Sequence, residues 1–88
     1  MILRITAQVE GDVKVLKLDG NLTPEEIPVL YALVEANGIP LRLDLTHLLL
    51  ADRDGLAALR HLRQSGALLQ GLSPYVELLI DDGQAPRG

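Results

Sequence analysis

Four side chains that could do acid–base or metal chemistry lie close together near the middle of the sequence: Asp44, His47, Asp52 and Asp54. Carboxylates and imidazoles serve as general acids and bases, and they also bind divalent cations. Asp52 and Asp54 alone offer too few ligands for a metal. Asp44 and His47 are the only plausible additional ligands in the sequence. The simpler interpretation, which we favour, is structural: Asp52 caps a helix, and Asp54 lies in the first turn, where the helix dipole favours negative charge.

The residues around these side chains predict a strand, a loop and a helix. Leu41, Leu43 and Leu45 alternate with polar residues, which is the pattern of a half-buried strand. A short apolar segment follows, and Asp52 then begins a helix predicted over about 53–64. A helix start at the end of a central strand presents free backbone amides, so we expect a partner or an anion to dock there.

The remainder of the chain predicts further strands and helices. Two strands over 2–9 and 13–18, joined by a short Gly-Asp turn, indicate an antiparallel hairpin, and Asp19-Gly20-Asn21 should end the second strand. Thr23-Pro24-Glu25-Glu26 has the pattern of a capping box and predicts the start of a helix that stops at Asn37-Gly38. Pro28 lacks a backbone donor, which leaves a later start or an irregular first turn open.

A short buried strand over 67–70 and a third helix complete the pattern. Ser73-Pro74 should begin that helix, Val76, Leu79 and Ile80 form its apolar stripe, and Asp81-Asp82-Gly83 should end it. This order of elements predicts an α/β domain with a mixed four-stranded sheet packed with about three helices. We expect a single domain over 1–83 and a disordered tail over 84–88.

Composition excludes several classes of function. The net charge is −4 and there is no Phe or Trp, whereas nucleic-acid binding needs cationic clusters and aromatic platforms. No cysteine is present for a thiolate metal site, and no apolar run approaches the ~20 residues of a membrane span. No nucleophile, base and orienting group occur at a recognisable spacing, so we predict that the protein is not an enzyme and needs no cofactor. The lack of cysteine is compatible with a reducing compartment, and we predict a cytoplasmic protein.

Two short segments carry a resemblance to a known family. Asp44-Leu45-Thr46, followed by Asp52-Arg53-Asp54-Gly55-Leu56, resembles the signature of STAS domains, the anti-sigma-factor-antagonist-like family. That signature is a strand ending in Asp-Leu-Ser/Thr and a helix start with the sequence Asp-Ser-Ser-Gly-Leu. The resemblance extends from Val13 to about Ile80. The family's regulatory phosphorylation site is the second Ser, and Asp54 stands in its place, so the phosphorylation motif is degenerate.

The resemblance implies a protein-interaction domain that acts like an anti-sigma factor antagonist without a phosphorylatable serine. It implies a protein partner, either an anti-sigma factor-like protein or a transporter complex, and the predicted binding residues are Asp52, Arg53, Asp54, Gly55 and Arg60. Homodimerisation through an exposed sheet edge or the third helix stays open. Two alternatives also stay open: a cytoplasmic accessory subunit of an ABC lipid-transport complex, and a sensor that binds a nucleotide or another small ligand.

Overall fold

A mixed sheet and three helices make up the computed structural model, which describes residues 3–38 and 41–84. The elements are, in chain order, β1 (Arg4–Glu10), β2 (Val13–Leu22), α1 (Ile27–Asn37), β3 (Leu41–Asp44), β4 (Leu48–Ala51), α2 (Arg53–Gln64), β5 (Leu68–Gln70) and α3 (Pro74–Gln84). The sheet has five strands, of which four lie side by side in the order β1-β2-β3-β5 while β4 pairs with β2. The predicted α/β architecture with a mixed sheet is confirmed.

The predicted hairpin forms the start of this sheet. β1 and β2 pair antiparallel, from Arg4 opposite Asp19 to Glu10 opposite Val13. The two-residue turn between them begins with Gly11, whose φ of 62° suits the first central position of a type II′ turn. β2, β3 and β5 then pair parallel, so the connections through α1 and α2 are right-handed crossovers that place both helices on one face of the sheet.

The fifth strand was not predicted. The apolar segment after β3 forms β4, which pairs parallel with the end of β2, from Gly20 opposite Leu48 to Leu22 opposite Ala51. The prediction that Asp19-Gly20-Asn21 ends the second strand is therefore wrong. β2 continues to Leu22 because β4 supplies partners for backbone groups that would otherwise lack them.

Helix α1 begins later than the capping-box pattern predicted. The Thr23 carbonyl accepts the Glu26 amide at 3.0 Å in a turn, and the Thr23 hydroxyl donates to the Glu26 carboxylate instead of accepting that amide. The capping box is consequently not formed, and Ile27 is the first helical residue. The predicted stop is confirmed, since Gly38 has a φ of 80° and donates its N–H to the Val34 carbonyl at 2.8 Å.

Leucine dominates the core between the sheet and the helices. Leu16, Leu18 and Leu43 of the sheet are fully buried, and the helices cover them with Leu30, Val34, Leu59, Leu62 and Ile80. The opposite face of the sheet carries mainly polar side chains around the buried Val15, and there Arg42 Nη1 lies 3.1 Å from Glu10 Oε1. All three helices therefore share one layer, since α3 packs on α2.

The last two elements agree with the prediction in part. Ser73 caps α3 by accepting the Val76 amide at 3.2 Å, and Val76 and Ile80 of the predicted apolar stripe contact the core. Leu68 is 59 % exposed because β5 lies at the edge of the sheet, so this strand is less buried than predicted. α3 continues through the predicted stop to Gln84, since a glycine in the last turn costs a helix only about 1 kcal/mol. The rest of the predicted tail, 85–88, lies outside the described residues, as does Ile2.

Replacing Leu43 with Ala should lower the free energy of unfolding by roughly 2–5 kcal/mol, because the side chain is fully buried and its loss leaves a cavity. The matched control is Leu68→Ala on the neighbouring strand, where the exposed side chain should contribute within about 0.5 kcal/mol. Urea unfolding followed by circular dichroism measures both values. Equal losses at the two positions would contradict the assignment of the core.

Candidate functional site

The start of α2 is held by the side chain and the backbone of Asp52. Its backbone is extended, and its Oδ1 accepts a hydrogen bond from the Gly55 amide at 2.8 Å. Its N–H donates to the Leu22 carbonyl at 3.2 Å, which ties the helix start to the end of β2. The predicted helix cap is confirmed. Asp52 therefore has a structural role: it caps α2 and joins the helix start to β2.

Gly55 is buried where α2 meets the end of β2. A Cβ at this position would lie 2.6 Å from the Leu22 carbonyl oxygen and 3.2 Å from Leu22 Cγ. Real Cβ atoms do not approach a backbone oxygen so closely, so a larger residue would push the helix away from the strand. Gly55 thus positions the site through packing, and its part in partner binding stays a prediction.

Arg53 and Asp54 project from this fixed helix start. Both are exposed, and Asp54 lies in the first turn, as predicted. Leu49 and Leu50 of β4, just before them in the chain, are 73 % and 54 % exposed. Leu49 also lines an open depression with Lys17 and Asp19. We call these four exposed residues, Leu49, Leu50, Arg53 and Asp54, which are near each other in the chain, the helix-start surface. It combines apolar side chains with both signs of charge, which is a composition suited to protein contacts.

Arg60 lies apart from Asp54. The two are six positions apart on α2, or about 1.7 turns, so their side chains point about 120° away from each other. Arg60 is part-buried, and its Nε donates to the Ile80 carbonyl at 3.2 Å, which joins α2 to α3. The structure thus gives Arg60 a role in holding the third helix and does not bring it onto the helix-start surface.

The Asp44-Leu45-Thr46 segment forms a closed turn at the end of β3. Asp44 Oδ1 accepts hydrogen bonds from the Thr46 hydroxyl at 2.6 Å and from the Thr46 amide at 3.1 Å. The Thr46 hydroxyl, followed by the Thr46 amide, lowers the pKa of Asp44, because both bonds favour the ionised carboxylate. The segment is also hydrogen-bonded to the end of β5, since the Leu45 amide donates to the Gln70 carbonyl at 2.8 Å.

An open depression of about 470 Å³ lies beside this turn, lined by Lys17, Asp19, Gly20, Thr46, His47 and Leu49. His47 is exposed, and its Nδ1 lies 3.6 Å from Asp19 Oδ1. The charges that line the depression are of both signs, so it does not select a ligand of one charge. Among the residues whose side chains the structure describes, 3–38 and 41–80, no three histidine, aspartate or glutamate side chains are grouped to hold a metal ion. Asp44, His47, Asp52 and Asp54 are therefore not gathered into one site.

Two contacts between distant residues were missed by the sequence analysis. The Tyr31 hydroxyl lies 3.1 Å from His61 Nδ1 and joins α1 to α2. Gly71 lies so close to Thr46 that a Cβ there would be 2.9 Å from the Thr46 amide nitrogen, and its φ is 81°. The glycine itself was the available signal, because a positive φ and a close approach both favour glycine.

Comparisons with known proteins identify the fold. No protein-family model matches the sequence, and no curated protein gives a significant match. The solved structure of the anti-sigma factor antagonist SpoIIAA in its unphosphorylated form is similar, with a TM-score of 0.67 and 13 % identity over 91 % of this chain and 82 % of that chain. An uncharacterized protein from Shewanella loihica PV-4 with a SpoIIAA-like fold is also similar, with a TM-score of 0.58 and 17 % identity over 92 % and 76 % of the two chains.

These similarities confirm the STAS-like fold expected from the signature. At such low identity they establish the fold alone, and the residues of the site must be argued from their own geometry. In the described part of the chain, none of the helices has both the length and the apolar character that a membrane span requires. The chain therefore has the mixed sheet and the helices of the SpoIIAA fold.

Replacing Gly55 with Ala should lower the free energy of unfolding by roughly 1–2 kcal/mol, because the clash with the Leu22 carbonyl outweighs the better helix propensity of alanine. Ala57→Gly, the reverse exchange at an exposed position of the same helix, measures the propensity effect alone and should cost about 1 kcal/mol. Thermal unfolding of both variants gives the comparison. A stabilised Gly55→Ala variant would contradict the packing role of this glycine.

Replacing Thr46 with Val should raise the pKa of Asp44 toward its ordinary value of 3.8, because the hydroxyl bond to the carboxylate is lost while the side-chain shape is kept. A carboxylate with a lowered folded pKa stabilises the fold fully above its unfolded pKa, and this stability is lost as the pH falls through the folded value. The wild type should therefore lose this contribution below about pH 4. Carboxyl carbon NMR titration of both proteins measures the shift, and identical curves would overturn the assigned cause.

Proposed function

We propose that this chain is a non-enzymatic protein-interaction domain of the anti-sigma factor antagonist type, which docks a protein partner at the helix-start surface. The observation that carries the proposal is the combination of exposed Arg53 and Asp54 side chains with a rigid backbone beneath them. Asp52 and Gly55 fix that backbone to the end of β2. A binding group that is already held in place loses less conformational entropy when the partner docks.

Charge at Asp54 defines the binding state in this proposal. A phosphoserine carries about −1.5 to −2 charges near neutral pH, whereas an ionised aspartate carries one and lacks the three phosphate oxygens. Asp54 is exposed in the first turn of α2, so its charge reaches an approaching partner without a kinase. The domain would therefore stay in one binding state, independent of phosphorylation.

The apolar part of the helix-start surface supports a protein as the partner. Leu49 and Leu50 are large, exposed and adjacent in the chain to the charged helix start. Burying such side chains contributes about 25 cal/mol per Å² of apolar area, while the neighbouring charges select the orientation of the partner. Interfaces of this kind combine an apolar centre with a polar rim.

The test is a capture experiment with immobilised wild-type protein, followed by affinity measurement with the purified partner. Proteins retained from a lysate of the source organism are identified by mass spectrometry, and the dissociation constant of the main one is measured by calorimetry. Asp54→Lys reverses the charge at the surface and should weaken binding at least about tenfold, a loss of roughly 1.4 kcal/mol. The chain offers a matched control, because Glu77 is an exposed acidic residue in the first turn of α3.

Glu77→Lys makes the same charge change at another helix start and should leave the dissociation constant within about twofold, because Glu77 is not part of the helix-start surface and exposed charges outside a binding surface are screened by salt. Equal affinities of the Asp54→Lys variant and the wild type for the partner would contradict the proposed docking site. Asp54→Ser tests the fixed binding state separately: an unchanged affinity would show that the permanent charge has no part in it.

A further inference from the structure

The outer edge of β1 is a second surface that the structure leaves unpaired. β1 has seven residues, and within residues 3–38 and 41–84 it pairs with β2 alone. It contains no proline or lysine, which commonly protect an edge strand from pairing with another chain, and its two charged residues, Arg4 and Glu10, lie at its ends. The opposite edge of the sheet, β5, has only three residues. The longer edge is therefore the better template for an added strand.

The hairpin register determines which backbone groups of β1 are available. Glu10 and Val13 flank a two-residue turn, so they form a hydrogen-bonded pair, and such pairs alternate along an antiparallel ladder. The backbone groups of Glu10 and of every second residue before it therefore point toward β2. Those of Ile5, Ala7 and Val9 point away from β2, toward the free edge.

We propose that a second copy of this chain pairs with this edge, so that two β1 strands lie antiparallel about a two-fold axis at Ala7. In this register Ala7 lies opposite the partner's Ala7, and Ile5 lies opposite the partner's Val9. The free amides and carbonyls of all three residues then find partners. The two sheets join into one continuous sheet, with the helices of both copies on the same face.

Charge complementarity selects this register. It places Arg4 opposite the partner's Glu10 at both ends of the paired strands, on the polar face of the sheet. Sliding the pairing by one hydrogen-bonded step in one direction sets Arg4 against Gln8. In the other direction it sets Glu10 against Thr6 and leaves Arg4 facing Asp12, which lies in the turn beyond the strand. Both Arg4–Glu10 pairs are lost in either direction. Directly opposed charges of opposite sign stabilise a strand pair, and like charges destabilise it.

The side chains are available for these contacts. Arg4 is exposed and, although it lies opposite Asp19 on β2, it forms no ion pair with it. Glu10 uses Oε1 to bind Arg42, and its side chain is 60 % exposed, which leaves Oε2 for a second guanidinium. On the helix-facing side, Val9 is 69 % exposed, and the partner's Ile5 would cover it. This inference does not rest on the proposed function, since it concerns a different part of the chain.

A charge exchange tests the proposal on the full chain. The wild type should sediment at twice the monomer mass of 9.5 kDa as its concentration is raised, and its dimer dissociation constant is measured by analytical ultracentrifugation. Arg4→Glu and Glu10→Arg should each weaken the dimer roughly tenfold or more, because two like-charge pairs replace two ion pairs. The double variant Arg4→Glu/Glu10→Arg restores opposite charges and should recover the wild-type dissociation constant within a few fold.

Two further variants separate the edge from other causes. Ala7→Pro removes the central outward N–H without removing a bond to β2 and should abolish the dimer, while circular dichroism and thermal unfolding check that the domain stays folded. Glu35→Arg, at an exposed position of α1, is the charge control and should dimerise like the wild type. A wild type that stays monomeric at every concentration overturns the proposal. So does a dimer that is insensitive to Arg4→Glu, Glu10→Arg and Ala7→Pro.

Discussion

The contact between the end of β2 and the start of α2 is the constraint on which the candidate site depends. Leu22 closes β2, and its carbonyl oxygen accepts the Asp52 amide while the backbone of Gly55 packs against it. The end of β2 is itself held by β4, which pairs with it from Gly20 to Leu22. If β2 ended at Asp19-Gly20-Asn21, the start of α2 would lose its contacts with Leu22. The exposed side chains at the helix start would then have no fixed position.

This constraint divides the residues of the signature into two groups. Asp44 and Thr46 close the turn after β3, while Asp52 and Gly55 place α2, and all four use their functional groups or their small size inside the fold. The exposed groups at the helix start are those of Arg53 and Asp54. In the proposed function a single short sequence therefore serves both packing and recognition, and the two roles belong to different residues within it.

The two proposed interaction surfaces follow from different physical requirements. The helix-start surface presents fixed side chains with charge and apolar area, so a partner there is chosen by side-chain complementarity. The free edge of β1 presents backbone groups at a regular spacing, so its partner must supply a strand, and the charges at its two ends choose the register. A change in one surface can thus be studied without changing the chemistry of the other.

Local patterns in the sequence determined most of the elements and the position of the site. The alternation of leucines in β3, the Asp52 cap, the stop at Gly38 and the Ser73 cap depend on residues a few positions apart, and each formed as predicted. The position of Asp54 in the first turn of α2 was fixed in the same way.

Contacts between residues far apart in the chain were decided by the tertiary structure. β4 and the extension of β2 form because each gives the other hydrogen-bond partners. Neither segment has the alternation of apolar and polar residues that would predict a strand from its own sequence. The same applies to the packing of Gly55 on Leu22, the bond from Arg60 to the Ile80 carbonyl and the contact between Tyr31 and His61. A sequence pattern reports which residues repeat along one element, whereas these contacts depend on how separate elements come together in three dimensions.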